Sequence, residues 1–243
     1  MTAPDTKTDI STDAARAAAR ERCKHTQLTN ANLGWRNKLA QWLFSLILRI
    51  WFECRYRLIV RGRANLPAKP VLFVANHTSS VDPPLLSALL FFRPISYLAK
   101  RELFESSPWG LFFFKSIAAV AVDREKLDVS TIKSAITVMK HGEWSLGIFP
   151  EGTRQPLTED GRTVVGPLKA GAAFLARATR ADIVPVAIVR MPRPARGRPA
   201  IHVLIGESFS YSDDTDATMA DIRRHLETLV SQASARDFAD RKR

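Results

Sequence analysis

Cysteine is nearly missing from this chain: 243 residues carry only Cys23 and Cys54. Two thiols at no ligand-like spacing exclude a disulfide framework and a zinc site, and they suit a reducing compartment. The five histidines are scattered, without carboxylate or thiol partners at ligand spacing, so no metal is expected. A Gly-x-Ser-x-Gly elbow is absent, which argues against a serine hydrolase. No apolar run reaches the roughly 18 residues that a membrane span needs. Residues 1–30 are polar and carry both signs of charge, unlike the apolar heart of a secretory signal. Internal repeats and long low-complexity segments are absent as well.

Acidic residues are the minority: 24 Asp and Glu face 36 Lys and Arg, for a net charge of +12 and a pI near 10.2. That excess calls for an anionic partner, whether nucleic acid, an anionic membrane or a phosphorylated substrate. The basic residues are scattered and form no recognition motif, so nucleic acid is not the expected partner. With 46% hydrophobic residues the composition is that of a folded domain. A chain of this length can bury a substantial core.

Three segments are expected. Residues 1–30 form a polar lead-in. Residues 31–56 form a helical anchor, because 39–52 is apolar apart from Gln41, Ser45 and Arg49. With Lys38 these exceptions step by three, four and four, which makes one narrow polar stripe on a helix. The reading is a helix embedded in a membrane interface, with Trp35, Trp42 and Trp51 near headgroup level. Residues 57–243 then alternate strand and helix signals. Strands are expected at 57–61, 70–75, 95–99, 117–122, 144–149, 183–189 and 201–205. Helices are expected at 85–92, at 129–140 with Ile132, Ile136 and Met139 on one face, at 168–179, and through Met219, Ile222, Leu226, Leu229 and Val230. This order means an α/β domain with a mostly parallel or mixed sheet flanked by helices.

The apolar strand at 70–75 runs straight into Asn76 and His77, and open α/β sheets hold their sites just beyond such strand ends. Asp82 precedes Pro83 and Pro84, which predicts that it caps the next helix. Five residues along one helix would put His77 and Asp82 roughly 140° apart, so the intervening residues must form a turn. A turn can bring the carboxylate to one imidazole nitrogen and leave the other free as a base, as in acyl-transfer sites generally.

Asn76, His77 and Asp82 after an apolar strand resemble the first motif of the glycerolipid acyltransferases, the lysophosphatidate acyltransferase family. Residues 110–124, ending AVAVDR, resemble the second motif, with Arg124 in the basic position. FPEGTR at 149–154 closely resembles the third, and Val184, Pro185 and Val186 the fourth. The stretches 97–104 and 168–171 are also similar to family segments, and the resemblance covers about 57–206. Gln155 departs from it, where many members carry serine.

The resemblance implies an acyltransferase of phospholipid biosynthesis that needs no cofactor and draws on acyl-CoA or acyl-ACP. The acceptor is a lysophospholipid, foremost 1-acyl-sn-glycerol 3-phosphate. The alternatives are another lysolipid acceptor, such as a lyso-ornithine lipid, or a non-catalytic membrane-binding protein. His77 takes the hydroxyl proton, and Asp82 fixes the ring tautomer and stabilises the imidazolium. No acyl-enzyme is required, so Ser79 and Ser80 are read as turn residues. Glu151, Gly152, Thr153 and Arg154 bind substrate. There Pro150 and Gly152 force a tight turn expected to leave both charged side chains exposed. Arg154 offers a fork suited to phosphate, with Arg124 and Lys100 as further candidates. The basic loop 190–198 either meets headgroups or a carrier protein or is a solvated hairpin. The setting implied is the cytoplasmic face of the cell membrane, against its anionic surface.

Overall fold

The computed structural model describes residues 33–105, 114–122, 129–141, 143–191 and 197–240. Its elements run α1 (Trp35–Arg55), β1 (Arg57–Arg61), β2 (Leu72–Ala75), α2 (Asp82–Leu89), β3 (Ile95–Lys100), α3 (Arg101–Glu105), β4 (Val120–Val122), α4 (Val129–Lys140), β5 (Ser145–Ile148), α5 (Gly171–Thr179), β6 (Ile183–Arg190), β7 (Ala200–Ile205) and α6 (Thr215–Asp240). The expected α/β architecture is present.

The strands form one seven-stranded sheet in the order β1-β7-β6-β2-β5-β3-β4. From β6 to β4 every pairing is parallel. β7 runs antiparallel to β6, and β1 runs parallel to β7, so the sheet is mixed. The central strand β2 is buried on both faces, as its unbroken apolar run requires. Leu72 and Val74 pack beneath α4, α5 and α6 through Ala135, Leu175 and Ile222. Phe73 and Ala75 point the other way, into a core with Leu85, Leu86 and Leu89 of α2 and Phe52 of α1. Side chains alternate along a strand, so His77, two residues past Ala75, projects on the α1–α2 side of the sheet.

α4 carries Ile132, Ile136 and Met139 half-buried on one face, and presents Thr131, Ser134, Ala135 and Val138 to the core. Small side chains on that face let the helix sit close, and Met139 packs at the margin. Asp82 is the first helical residue of α2, and Val81 holds the cap position. This corrects the expected Asp82 cap: Pro84 has no N–H to offer, and the Leu85 N–H donates to Val81 O at 2.9 Å instead. The Asp82 carboxylate turns back to the preceding residues.

In α1 the polar stripe faces the protein. Gln41 and Ser45 are buried with Phe52. The Gln41 amide accepts from Ile95 N at 3.2 Å and donates to its carbonyl, so it closes the open end of β3. Lys38 pairs with Glu143, and Arg49 pairs with Glu53. The apolar side of the helix is left outside: Trp35 is 69% exposed, Ile47 65% and Ile50 58%. Leu39, Trp42, Leu43 and Trp51 join that face. Among the described residues no helix is long and apolar enough to cross a membrane.

Candidate active site

Four neighbouring parallel strands, β6, β2, β5 and β3, end on the same edge of the sheet. β2 delivers His77, and β5 delivers the turn at 149–154. β6 ends on Arg190 and β3 on Lys100.

Asn76 sets the start of the site. Its side-chain amide donates to Ile188 O at 3.0 Å and accepts from Ile188 N at 2.7 Å. A side chain thus takes both ladder positions where β2 stops, and His77 is carried forward from a fixed point. His77 Nδ1 lies 3.0 Å from Asp82 Oδ2. The same oxygen accepts the backbone N–H groups of Thr78 and Ser79, each at 2.7 Å. The turn inferred from the spacing is therefore built around the carboxylate. Burial by itself would raise the Asp82 pKa. The His77 hydrogen bond, the Arg190 charge and the Ser79 amide outweigh it and hold the carboxyl below its ordinary value. An ionised Asp82 only accepts, so the proton of the bond sits on Nδ1 and Nε2 keeps its lone pair. The ring leans on Phe149, with centroids 4.6 Å apart, and Tyr97 stacks behind Phe149 at 6.5 Å. Gly147 leaves room for that tyrosine, since a Cβ there would meet the ring at 2.6 Å.

The 149–154 turn is tied to the histidine directly, because Gln155 N donates to His77 O at 2.8 Å. Lys169 N holds Pro150 O at 2.8 Å from the other side. Gly152 has φ +67°, and a Cβ there would lie 2.9 Å from the Lys169 side chain. The positive φ is what favours glycine, since the Lys169 side chain could move aside. Gln155, the departure from the family pattern, packs its amide where a Gly166 side chain would otherwise sit.

The turn treats its two charges differently, which corrects the expectation that both are exposed. Thr153 and Arg154 are exposed. Glu151 is 3% exposed, and neither carboxylate oxygen has a hydrogen-bond partner among the described residues. Its pKa is pushed from the ordinary 4.5 up to about 7, first by burial and then by the Asp82 charge. The backbone of His77 and Gly166 and the charge of Arg223 oppose that rise without cancelling it.

His77, Asp82, Glu151, Gly152, Thr153 and Arg154 are thus gathered on one edge. Lys100 ends the same edge, 48% exposed and 3.1 Å from Glu102. Arg124 lies outside the described residues. Sequence reasoning missed Arg190, whose Nη2 donates to Asp82 Oδ1 at 2.6 Å. The only signal was an arginine closing an apolar strand, which read as the first residue of a basic loop.

An imidazole with a free nitrogen, oriented by a buried carboxylate at the strand ends of an α/β sheet, can take a proton from a hydroxyl. Beside an exposed arginine, it suits acyl transfer to a lipid alcohol. The Acyltransferase family model matches residues 57–189, and the chain belongs to that family. It is 35% identical over 172 residues to the 1-acyl-sn-glycerol-3-phosphate acyltransferase of Bacillus subtilis, covering 68% of this chain and 80% of the relative. It is 34% identical over 150 residues to the lyso-ornithine lipid O-acyltransferase of Pseudomonas aeruginosa, covering 59% of this chain and 54% of that protein. The crystal structure of the 1-acyl-sn-glycerophosphate (LPA) acyltransferase from Thermotoga maritima shares the fold, with a TM-score of 0.55 and 22% identity over 79% of each chain.

Proposed function

We propose that this acyltransferase moves a fatty acyl group from acyl-CoA or acyl-ACP to the free hydroxyl of 1-acyl-sn-glycerol 3-phosphate, giving phosphatidate. The observation that carries the reading is the 3.0 Å contact between His77 Nδ1 and Asp82 Oδ2, which leaves Nε2 as the base. Nε2 takes the hydroxyl proton as the alkoxide oxygen attacks the thioester carbonyl. The tetrahedral intermediate then expels the thiolate, the C–S bond breaks, and the imidazolium returns its proton to sulfur. Asp82 stabilises the imidazolium in between. Arg154, exposed and without an ion-pair partner among the described residues, holds the acceptor phosphate through its planar fork. Glu151 borders the site as a carboxyl that is partly protonated near neutrality and meets an acceptor hydroxyl.

The uncovered apolar face of α1 lies in the membrane interface at the cytoplasmic face of the cell membrane. α1 packs against α2 on the side of the sheet that His77 faces, so a lipid held at α1 lies on the side of the base. A lyso-ornithine lipid is the second reading for the acceptor. It is favoured by the similarity to an enzyme of that name, and it would leave Arg154 with no phosphate to hold.

The test is an assay of the full chain with liposomes, an acyl thioester and a panel of lysolipids. A diacyl product is expected, and a His77→Ala variant as active as the unaltered protein would refute the mechanism. Arg154→Ala should weaken phosphorylated acceptors most, and an equal loss with the ornithine lipid would remove its phosphate role. Ile47→Asp with Trp35→Asp should release folded protein from vesicles, and undiminished binding would place the anchor elsewhere.

A further inference from the structure

Arg190 is the last residue of β6, the strand that pairs with β2. Its side chain is 17% exposed, and Asp82 is wholly buried. The guanidinium makes two contacts at once. Nη2 donates to Asp82 Oδ1 at 2.6 Å, and Nε donates to Thr78 Oγ1 at 3.2 Å. Thr78 follows His77 and Asp82 closes the same turn, so one planar fork spans the turn from end to end. The oxygens of Asp82 are divided as a result. Oδ1 belongs to Arg190, while Oδ2 collects Thr78 N, Ser79 N and His77 Nδ1. A carboxylate held from one side only could swing about its last torsion, a soft sp³–sp² rotation. Held from both sides, it presents a single oxygen to the imidazole in a single direction.

We infer that Arg190 is a positioning residue: it locks the plane of Asp82 and the 77–82 turn, and so aims the Nε2 of His77 at the acceptor hydroxyl without touching substrate. This rests on the reading of His77 as the base. The Thr78 hydroxyl is the second anchor of the device, which explains why the residue after the histidine carries one. Lysine cannot replace the fork, because an ammonium is a point donor with no rigid plane to bridge the two oxygens.

The test compares Arg190→Met and Arg190→Lys in the full chain on liposomes, beside His77→Ala. Arg190→Met should lower kcat by about 10- to 100-fold, a part of the roughly 10²–10⁴-fold that general-base catalysis supplies, with KM for donor and acceptor little changed. Arg190→Lys should fall between it and the unaltered enzyme. Added guanidinium ion should raise the kcat of a folded Arg190→Ala variant and leave the unaltered enzyme as it is. Should Arg190→Met fail to fold, judged by circular dichroism and its melting curve, Arg190→Lys decides: a lowered kcat at constant KM supports the inference, and full kcat overturns it. A rise in acceptor KM at constant kcat in either variant also overturns it, since Arg190 would then bind substrate. If His77→Ala kept full activity, the base itself would be misassigned. If His77→Ala were inactive and both Arg190 variants fully active, only this inference would fall.

Discussion

Two buried carboxylates stand on the two sides of His77, and they are solvated in opposite ways. Asp82, on the β6 side, accepts from two backbone amides, an imidazole and a guanidinium. Glu151, on the β5 side, is almost as buried, and only the backbone of His77 and Gly166 approaches it, without a well-formed hydrogen bond to either oxygen. One pKa is held down and the other is pushed up to about 7. Burial acts the same way on both, so the donors decide the outcome. When environments drive two acids apart in this way, they sort themselves into roles. The ionised one fixes the His77 ring, which on the proposed mechanism orients the base, and the other can exchange a proton near neutral pH.

The largest way to break this contrast is Asp82→Asn. An amide has one oxygen, while the site supplies donors to both, so its NH₂ must face either Arg190 or the Thr78 and Ser79 amides. Turned toward His77, the NH₂ would also force the wrong tautomer. The expected loss in kcat is about 10²–10⁴-fold, measured with saturating acceptor on liposomes. An Asn variant within a few-fold of the unaltered enzyme would show that the imidazole needs no anionic partner.

Glu151→Gln tests the other carboxylate by stability. A carboxyl whose folded pKa exceeds its unfolded value holds an extra proton when folded, so its favourable contribution is present at low pH. It is lost as pH rises from about 4.5 through about 7. The unaltered protein and Glu151→Gln should therefore unfold alike below pH 4.5. Above pH 7 the variant should be the more stable by up to about 3 kcal/mol. Denaturant melts across that range decide the matter, and a gap independent of pH would mean that Glu151 is solvated after all.

Much of this was legible in the sequence. The strand order of signals, the turn between His77 and Asp82 and the glycine at 152 follow from local rules. The errors share a cause, in that each depended on how the chain folds back around a side chain. Asp82 was read as a helix cap because Pro83 and Pro84 are local, whereas its true donors lie behind it and on β6. Glu151 was read as exposed because turns usually are, and the segment around Gly166 that covers it is distant in sequence. The stripe Lys38, Gln41, Ser45, Arg49 was found, but its partners Ile95 and Glu143 were not visible. The direction in which it faces therefore had to come from the fold.

Asn76 sharpens the comparison at lower cost. Replacing it with alanine leaves the buried N–H and C=O of Ile188 without partners, worth about 1–3 kcal/mol. It also frees the end of β2 that carries His77. Urea unfolding should show the loss in stability, and kcat should fall with it. A stability loss with unchanged kcat would mean that the 77–82 turn keeps its own geometry through Arg190 and Asp82 alone.

The smallest effect should come from Lys100. It ends β3, separated from β2 by β5, and its ammonium meets Glu102 in solvent rather than a buried acid. Exposed pairs of this kind contribute roughly 0–1 kcal/mol, so Lys100→Ala should leave the melting curve nearly in place. If the acceptor phosphate reaches past Arg154 to β3, the acceptor KM should rise and Glu102→Gln, which frees the ammonium, should lower it. If neither variant moves KM, phosphate contact on this edge stops at the β5 turn. The charge that matters there would then belong to Arg154.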